Sequence, residues 1–149
     1  MIVFEHKRSR SGGFMEKQKS VLRMDKIIFD KIEFRRLGLS SNQELEIELN
    51  SGITQKQDEE VYKVTLVLKG NKPGEYIFEI CLTGFFVLEG AEELSMEVKK
   101  ALVTRNTTAI LMPYLRSEVS LLTAQPGMEC VVLPAFNVNS LLQENDGNL

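Results

Sequence analysis

From residue 27 onward the chain alternates apolar and polar positions with period two, the mark of strands with one face buried. Lys26–Leu37 sets Ile28, Ile32 and Phe34 against Lys31, Glu33 and Arg35, and Gly38-Leu-Ser-Ser-Asn42 breaks the run. Glu44–Leu49 alternates Leu45, Ile47 and Leu49 with three glutamates; Ser51–Glu60 is polar and reads as a loop. Val61–Lys69 places Tyr62, Val64, Leu66 and Leu68 on a core face, and Gly70-Asn-Lys-Pro-Gly74 fits a hairpin connection. Tyr76–Leu88 is apolar on both sides apart from Glu79 and Thr83, so cover is expected on both faces. After Gly90 the period turns helical. The spacing predicts a short helix over Ala91–Val103 and a long one over Thr107–Ala124, with Ile110, Leu111, Tyr114, Leu115, Val119 and Leu122 recurring and Pro113 inside. Val131–Leu133 reads as a short strand or extended link, and Asn139–Gln143 as a last helical turn. Four strands followed by helices imply an α+β fold: a four-stranded antiparallel sheet with two helices packed on one face.

Charge changes the picture at one end. Residues 1–26 hold seven Lys/Arg against three Asp/Glu, which is +4, so the rest carries −7 of the total −3. This basic arm is expected to be solvated and disordered, as such runs usually are. Residues 27–142 form the expected domain and 143–149 a frayed tail. At 149 residues, 43% hydrophobic, one domain with a proper core is expected. No window approaches a membrane span, and no apolar run follows the basic start, so a cytoplasmic chain without a secretory signal is expected. Cys81 and Cys130 sit in apolar runs and read as buried free thiols.

Residues suited to chemistry are sparse. His6 is the sole histidine, and with two separated cysteines it cannot complete a four-ligand zinc site. Neither glycine cluster has the flanking elements or Gly-Lys-Ser/Thr core of a phosphate loop, and a nucleophile elbow is absent. The acidic pairs Asp58-Glu59-Glu60 and Glu92-Glu93 lie in polar settings. Glu44, Glu46, Glu48 and Glu79 would repel phosphate, which argues against nucleic acid on the sheet. The expected chain is neither an enzyme nor a cofactor carrier. Its surplus apolar surface on 76–88 and 107–124 instead predicts self-association or a binding groove.

Three stretches carry a resemblance: Tyr76-Ile-Phe-Glu-Ile-Cys-Leu-Thr-Gly-Phe-Phe-Val-Leu-Glu-Gly90, Ile110-Leu-Met-Pro-Tyr-Leu-Arg-Ser-Glu-Val119, and Leu133-Pro-Ala-Phe-Asn-Val-Asn-Ser-Leu-Leu142. An apolar strand ending in Gly-Phe-Phe, a helix with Pro-Tyr-x-Arg and a link with Pro-x-x-Asn-x-x-x-Leu together resemble the SecB family of export chaperones. The resemblance implies a holdase for unfolded preproteins, assembled as a homotetramer (a dimer of dimers), with SecA as docking partner. It also admits a relative dedicated to one partner, such as an antitoxin client. By position it implies Tyr76, Phe78, Phe85, Phe86, Tyr114, Phe136 and Val138 as substrate-binding residues, and Ile77 and Glu79 as the docking side of the sheet. Lys31 and Arg35 stand where typical members are acidic, and the acidic tail is reduced to Gln143-Glu-Asn-Asp146.

Overall fold

The computed structural model describes residues 2–9 and 15–135, with side chains from Ser20 onward. Its elements are β1 (Ile2–Ser9), β2 (Met15–Arg36), β3 (Glu46–Gln55), β4 (Val61–Lys72), β5 (Tyr76–Glu89) and α1 (Met96–Thr123). All strand pairs are antiparallel, in the order β1-β2-β5-β4-β3. The α+β class and the four expected strands are present, with two differences in count.

The first difference is a fifth strand. The strand expected from Lys26 starts at Met15, and Ile2–Ser9 folds back on Met15–Leu22. Residues expected to be a disordered arm are therefore sheet. The underlying pattern was present but was masked by charge: Val21, Leu22 and Met24 continue the strand, and Leu22 is fully buried. The second difference is in the helices: among the described residues there is one, α1, which covers most of both stretches that were expected to be separate helices. Residues Thr104-Arg-Asn106 lie between the two expected helices, and side chains of this kind can compete with backbone hydrogen bonds. Here they reinforce the helix instead. Thr104, Asn106, Thr107 and Thr108 donate to the carbonyls of Lys100, Leu102, Val103 and Thr104, four residues back. Ser95 caps the start by accepting from the Val98 N–H at 3.3 Å, so Ala91–Leu94, expected to be helical, precedes the helix. Pro113 lies on the exposed side, where the carbonyl that it leaves unpaired can meet water.

The core forms between one face of the sheet and one stripe of α1. Val64, Leu66 and Leu68 of β4 and Tyr76, Phe78, Ile80, Leu82, Phe86 and Leu88 of β5 point inward, as strand alternation dictates. Val103, Thr107, Leu111, Leu115, Val119 and Thr123 recur every four residues and are all fully buried. Gly70 stands opposite Phe78, and a Cβ there would come within 2.2 Å of the Phe78 ring, so that ring lies directly on the backbone. The β4–β5 turn uses Gly74 at φ 80°.

β2 does not keep one phase. Its pairing with β5 skips Asp25 and again Asp30. Two bulges therefore place Leu22 and Met24, then Ile27 and Phe29, then Phe34 on the inner side. Ile28, expected beside Ile32 and Phe34, pairs with Thr83 on the outer side instead. Other boundaries shift modestly. β3 runs to Gln55, so the loop is only 56–60, and Val131–Leu133 is an extended link without strand pairing. Cys81 is half-buried and Cys130 exposed; both are free thiols, and the expectation of burial fails at Cys130 because its segment lies on the outside of α1. Asn139–Gln143 and the tail lie outside the described residues.

A polar clamp closes the helix start onto the sheet. The Lys99 Nζ donates to Glu60 Oε1 at 2.5 Å, and the Tyr62 hydroxyl to Glu60 Oε2 at 2.6 Å. Burial pushes the Glu60 carboxyl up, but the hydrogen bonds from Lys99 and Tyr62, with the Lys99 charge, bring it below the usual carboxylate range. A depressed carboxyl stabilises the fold above its unfolded value of 4.5, and the contribution fades as pH falls through the lower folded value. Glu60→Gln strands a buried ammonium and should cost about 2 kcal/mol near pH 7, ~4–8 °C in melting temperature, the figure reduced because Glu60 is partly exposed. Thermal melts of both proteins from pH 7 to pH 3 check this: the gap should narrow with acid, and a constant gap would refute the clamp.

Candidate functional site

The residues implied as substrate-binding fall in three places. Tyr76, Phe78 and Phe86 point inward from β5 and are at most 4% exposed, closed beneath α1 in the single chain. Tyr76 stacks between Phe34, at 5.3 Å between ring centroids, and Phe78, at 6.2 Å, and its burial raises the phenol pKa. Phe85 points to the opposite face, half-buried between Lys26 and Lys63. Tyr114 stands on the outer side of α1, 41% exposed. Phe136 and Val138 lie outside the described residues.

The outer face of the sheet is built in rows by the register. Arg35, Ile77, Asn71 and Glu46 form one row, and Glu33, Glu79, Lys69 and Glu48 the next. An open concavity of about 970 Å³ lies over this end of the sheet. Ile77 and Glu79 share that face, but Glu79 is not a free acid. Lys31 Nζ lies 3.0 Å from Glu79 and 3.4 Å from Glu33, and this hydrogen bond above all lowers the Glu79 pKa and raises that of Lys31. The lysine thus neutralises the acids instead of presenting a separate basic patch. Nearer the middle of the sheet, Thr83 donates to Asp30 and shares a 3.1 Å hydrogen bond with Thr65, which makes that stretch polar.

A second surface is formed by residues to which the sequence assigned no binding role. After Gly127 the chain returns along α1, held by side chains alone. Arg116 Nε donates to the Leu133 carbonyl at 3.0 Å, Ser120 Oγ to the Val131 carbonyl at 3.0 Å, and the Val131 N–H to Thr123 Oγ1 at 2.8 Å. Leu133 is buried, whereas Val132 is 75% exposed and Leu121 of α1 is 63% exposed. Between helix and returning segment runs an open trough of about 640 Å³. Among the described residues that line it, Arg116 is the only charged side chain. Leu121 could have been found in sequence as an apolar position off the 111–115–119 stripe; Val132 carries no such signal, because no period covers the segment. Among the described residues no group of three or more His, Cys, Asp or Glu is placed to hold a metal ion, and no helix is long and apolar enough to cross a membrane.

No curated protein matches the sequence. Among solved structures, the fold is similar to the SecB-like chaperone Rv1957 of Mycobacterium tuberculosis, in complex with a ChAD peptide from the Rv1956 HigA1 antitoxin. The TM-score is 0.63 at 14% identity, over 78% of this chain and 88% of that one. A protein of unknown function from Streptococcus agalactiae covers 78% of this chain and 98% of its own at 12% identity and a TM-score of 0.47. The family model described as preprotein translocase subunit SecB matches residues 26–148, which take in β2 from Lys26 onward, β3 to β5, α1 and the returning segment. The chain belongs to the SecB family.

Proposed function

We propose that this chain is an ATP-independent chaperone, a holdase that binds non-native polypeptides and keeps them from aggregating, as in preprotein export. Membership of the SecB family over residues 26–148 carries the reading. The physics supports it: such a protein needs exposed apolar surface of adaptable shape, kept soluble by surrounding charge. Leu121 and Val132 flank an open trough, Tyr114 stands exposed nearby on the same helix, and the chain's net charge is −3. Unfolded segments are the fitting partners, because folded proteins bury the apolar side chains that such a trough takes up.

A second reading is favoured by one observation, the antitoxin peptide seen with the M. tuberculosis chaperone. On that reading the chain is an adaptor dedicated to one partner, such as an antitoxin. The two differ in promiscuity, which unrelated unfolded clients would reveal. We place the protein in the cytoplasm. Self-association as a dimer of dimers would cover Met96 and Val98, exposed apolar residues at the start of α1. SecA docking would use Ile77 and Glu79, with affinity lowered by the Lys31 ion pair.

Purified protein should slow aggregation of a chemically unfolded, unrelated enzyme without ATP. The double variant Leu121→Asp, Val132→Asp should lose most of that suppression, several-fold by light scattering. Its melting temperature should hardly move, because both positions are exposed. Unchanged suppression would remove the trough from the client surface. Sedimentation at micromolar concentration should give a mass well above one 16.9 kDa chain; a monomer would overturn the assembly.

A further inference from the structure

We propose that Arg36 is a latch: it holds the turn 125–130 down over the end of the Phe34–Tyr76–Phe78 stack, and its release gives an unfolded client the edge of Tyr76. The inference deepens the chaperone reading and rests on it for what opening serves. The register sets Arg36, Tyr76 and Lys72 in one row, the last that β2, β5 and β4 share. The turn that follows α1 meets this row. Gly127 offers its carbonyl to Arg36 at 3.1 Å, and Met128 packs against the core. Glu129 is near enough for its charge to bear on both Lys72 and Tyr76. Tyr76, 3% exposed, is out of a client's reach while the turn is down.

The two sides of the latch are fixed differently. Arg36 Nη2 has two protons and donates to two carbonyls, Leu39 at 3.0 Å and Gly127 at 3.1 Å. Leu39 belongs to a loop tied to the β4–β5 turn: the Leu37 and Gly38 N–H groups donate to the Glu75 carbonyl, and Ser41 Oγ to that of Pro73. The turn beyond α1 has no such tie. Among the described residues no backbone hydrogen bond joins 125–130 to the sheet. Its ends are held by α1 instead, where the Ala124 N–H donates to the Ser120 carbonyl and the Val131 N–H to Thr123 Oγ1. The stretch between these anchors bends at Gly127, φ 77°, and swings as a flap without disturbing helix or sheet. Segments held by exposed hydrogen bonds are the first to open, and here those bonds come from one arginine.

The test uses the full chain carrying Met128→Cys, with Cys81→Ser and Cys130→Ser to silence the native thiols. Met128 is half-buried, so a maleimide labels a thiol there faster when the flap lifts. Arg36→Ala in this background should raise the labelling rate about tenfold, the factor for losing one or two exposed hydrogen bonds. Arg36→Lys, which lacks the planar fork, should fall between. The melting temperature should hardly move, because Arg36 is exposed, and this separates flap opening from general unfolding. A labelled, unstructured nonapeptide rich in Leu and Phe then reads the client side by fluorescence anisotropy. Affinity scales with the open fraction, so Arg36→Ala should bind it several-fold more tightly than the parent does. An unchanged labelling rate overturns the latch. Faster labelling with unchanged peptide affinity overturns its link to clients. Absence of aggregation suppression by the unmodified chain would remove the chaperone reading and that link with it, whereas the labelling ratio alone decides the latch.

Discussion

One interface determines the rest: the four-residue stripe of α1 laid against the inward side of β4 and β5. Each fully buried Leu, Ile or Phe there is worth about 1.5–3 kcal/mol, more than the roughly 1 kcal/mol net of an ordinary hydrogen bond. It consumes every inward apolar side chain of the two central strands, the aromatic Tyr76, Phe78 and Phe86 included. What remains for partners is whatever faces away: the outer rows of the sheet and the far side of the helix. The two surfaces differ in character. The sheet rows are ion-paired and hydrogen-bonded among themselves, whereas the helix side keeps apolar groups in water.

The stripe also explains how the threonines and a lysine can be buried. Thr107 and Thr123 lie in the interface because each hydroxyl returns its proton to a helix carbonyl, and Lys99 because a glutamate meets it. Thr123 does further duty by accepting from Val131, so the helix end and the returning segment share a hydroxyl. The trough is therefore framed by side-chain tethers and not by a backbone ladder. A wall of that kind can shift without breaking a sheet, which would suit the client surface proposed for it.

Much of the fold was legible because alternation is a direct imprint of one-sided burial: Tyr62, Val64, Leu66 and Leu68 stand where the period put them. Legibility failed where local chemistry has two outcomes. Residues 104–106 fall between the two expected helices, yet Thr104 and Asn106 donate to helix carbonyls and the helix runs on through them. Residues 15–26 read as solvated because charge outweighed Val21, Leu22 and Met24. The surface was harder still. Aromatic content marked the β5 strand for binding, but an apolar strand advertises core and groove alike, and only the position of α1 assigns Tyr76, Phe78 and Phe86 to the inside. Arg116, Leu121 and Val132 come together through a chain reversal that no period announces.

The two bulges of β2 have a consequence for how such a strand can change over generations. Asp25 and Asp30 each advance the side-chain phase by one, so the second cancels the first, and only residues 26–29 run out of step with the rest. Because each aspartate is the residue that the pairing skips, deleting either one would remove its bulge and leave every other side chain of β2 on the face it now occupies. Deleting or inserting a residue at a paired position would instead turn one end of the strand over relative to the other. Length variation is thus tolerable at the two bulges and ruinous between them.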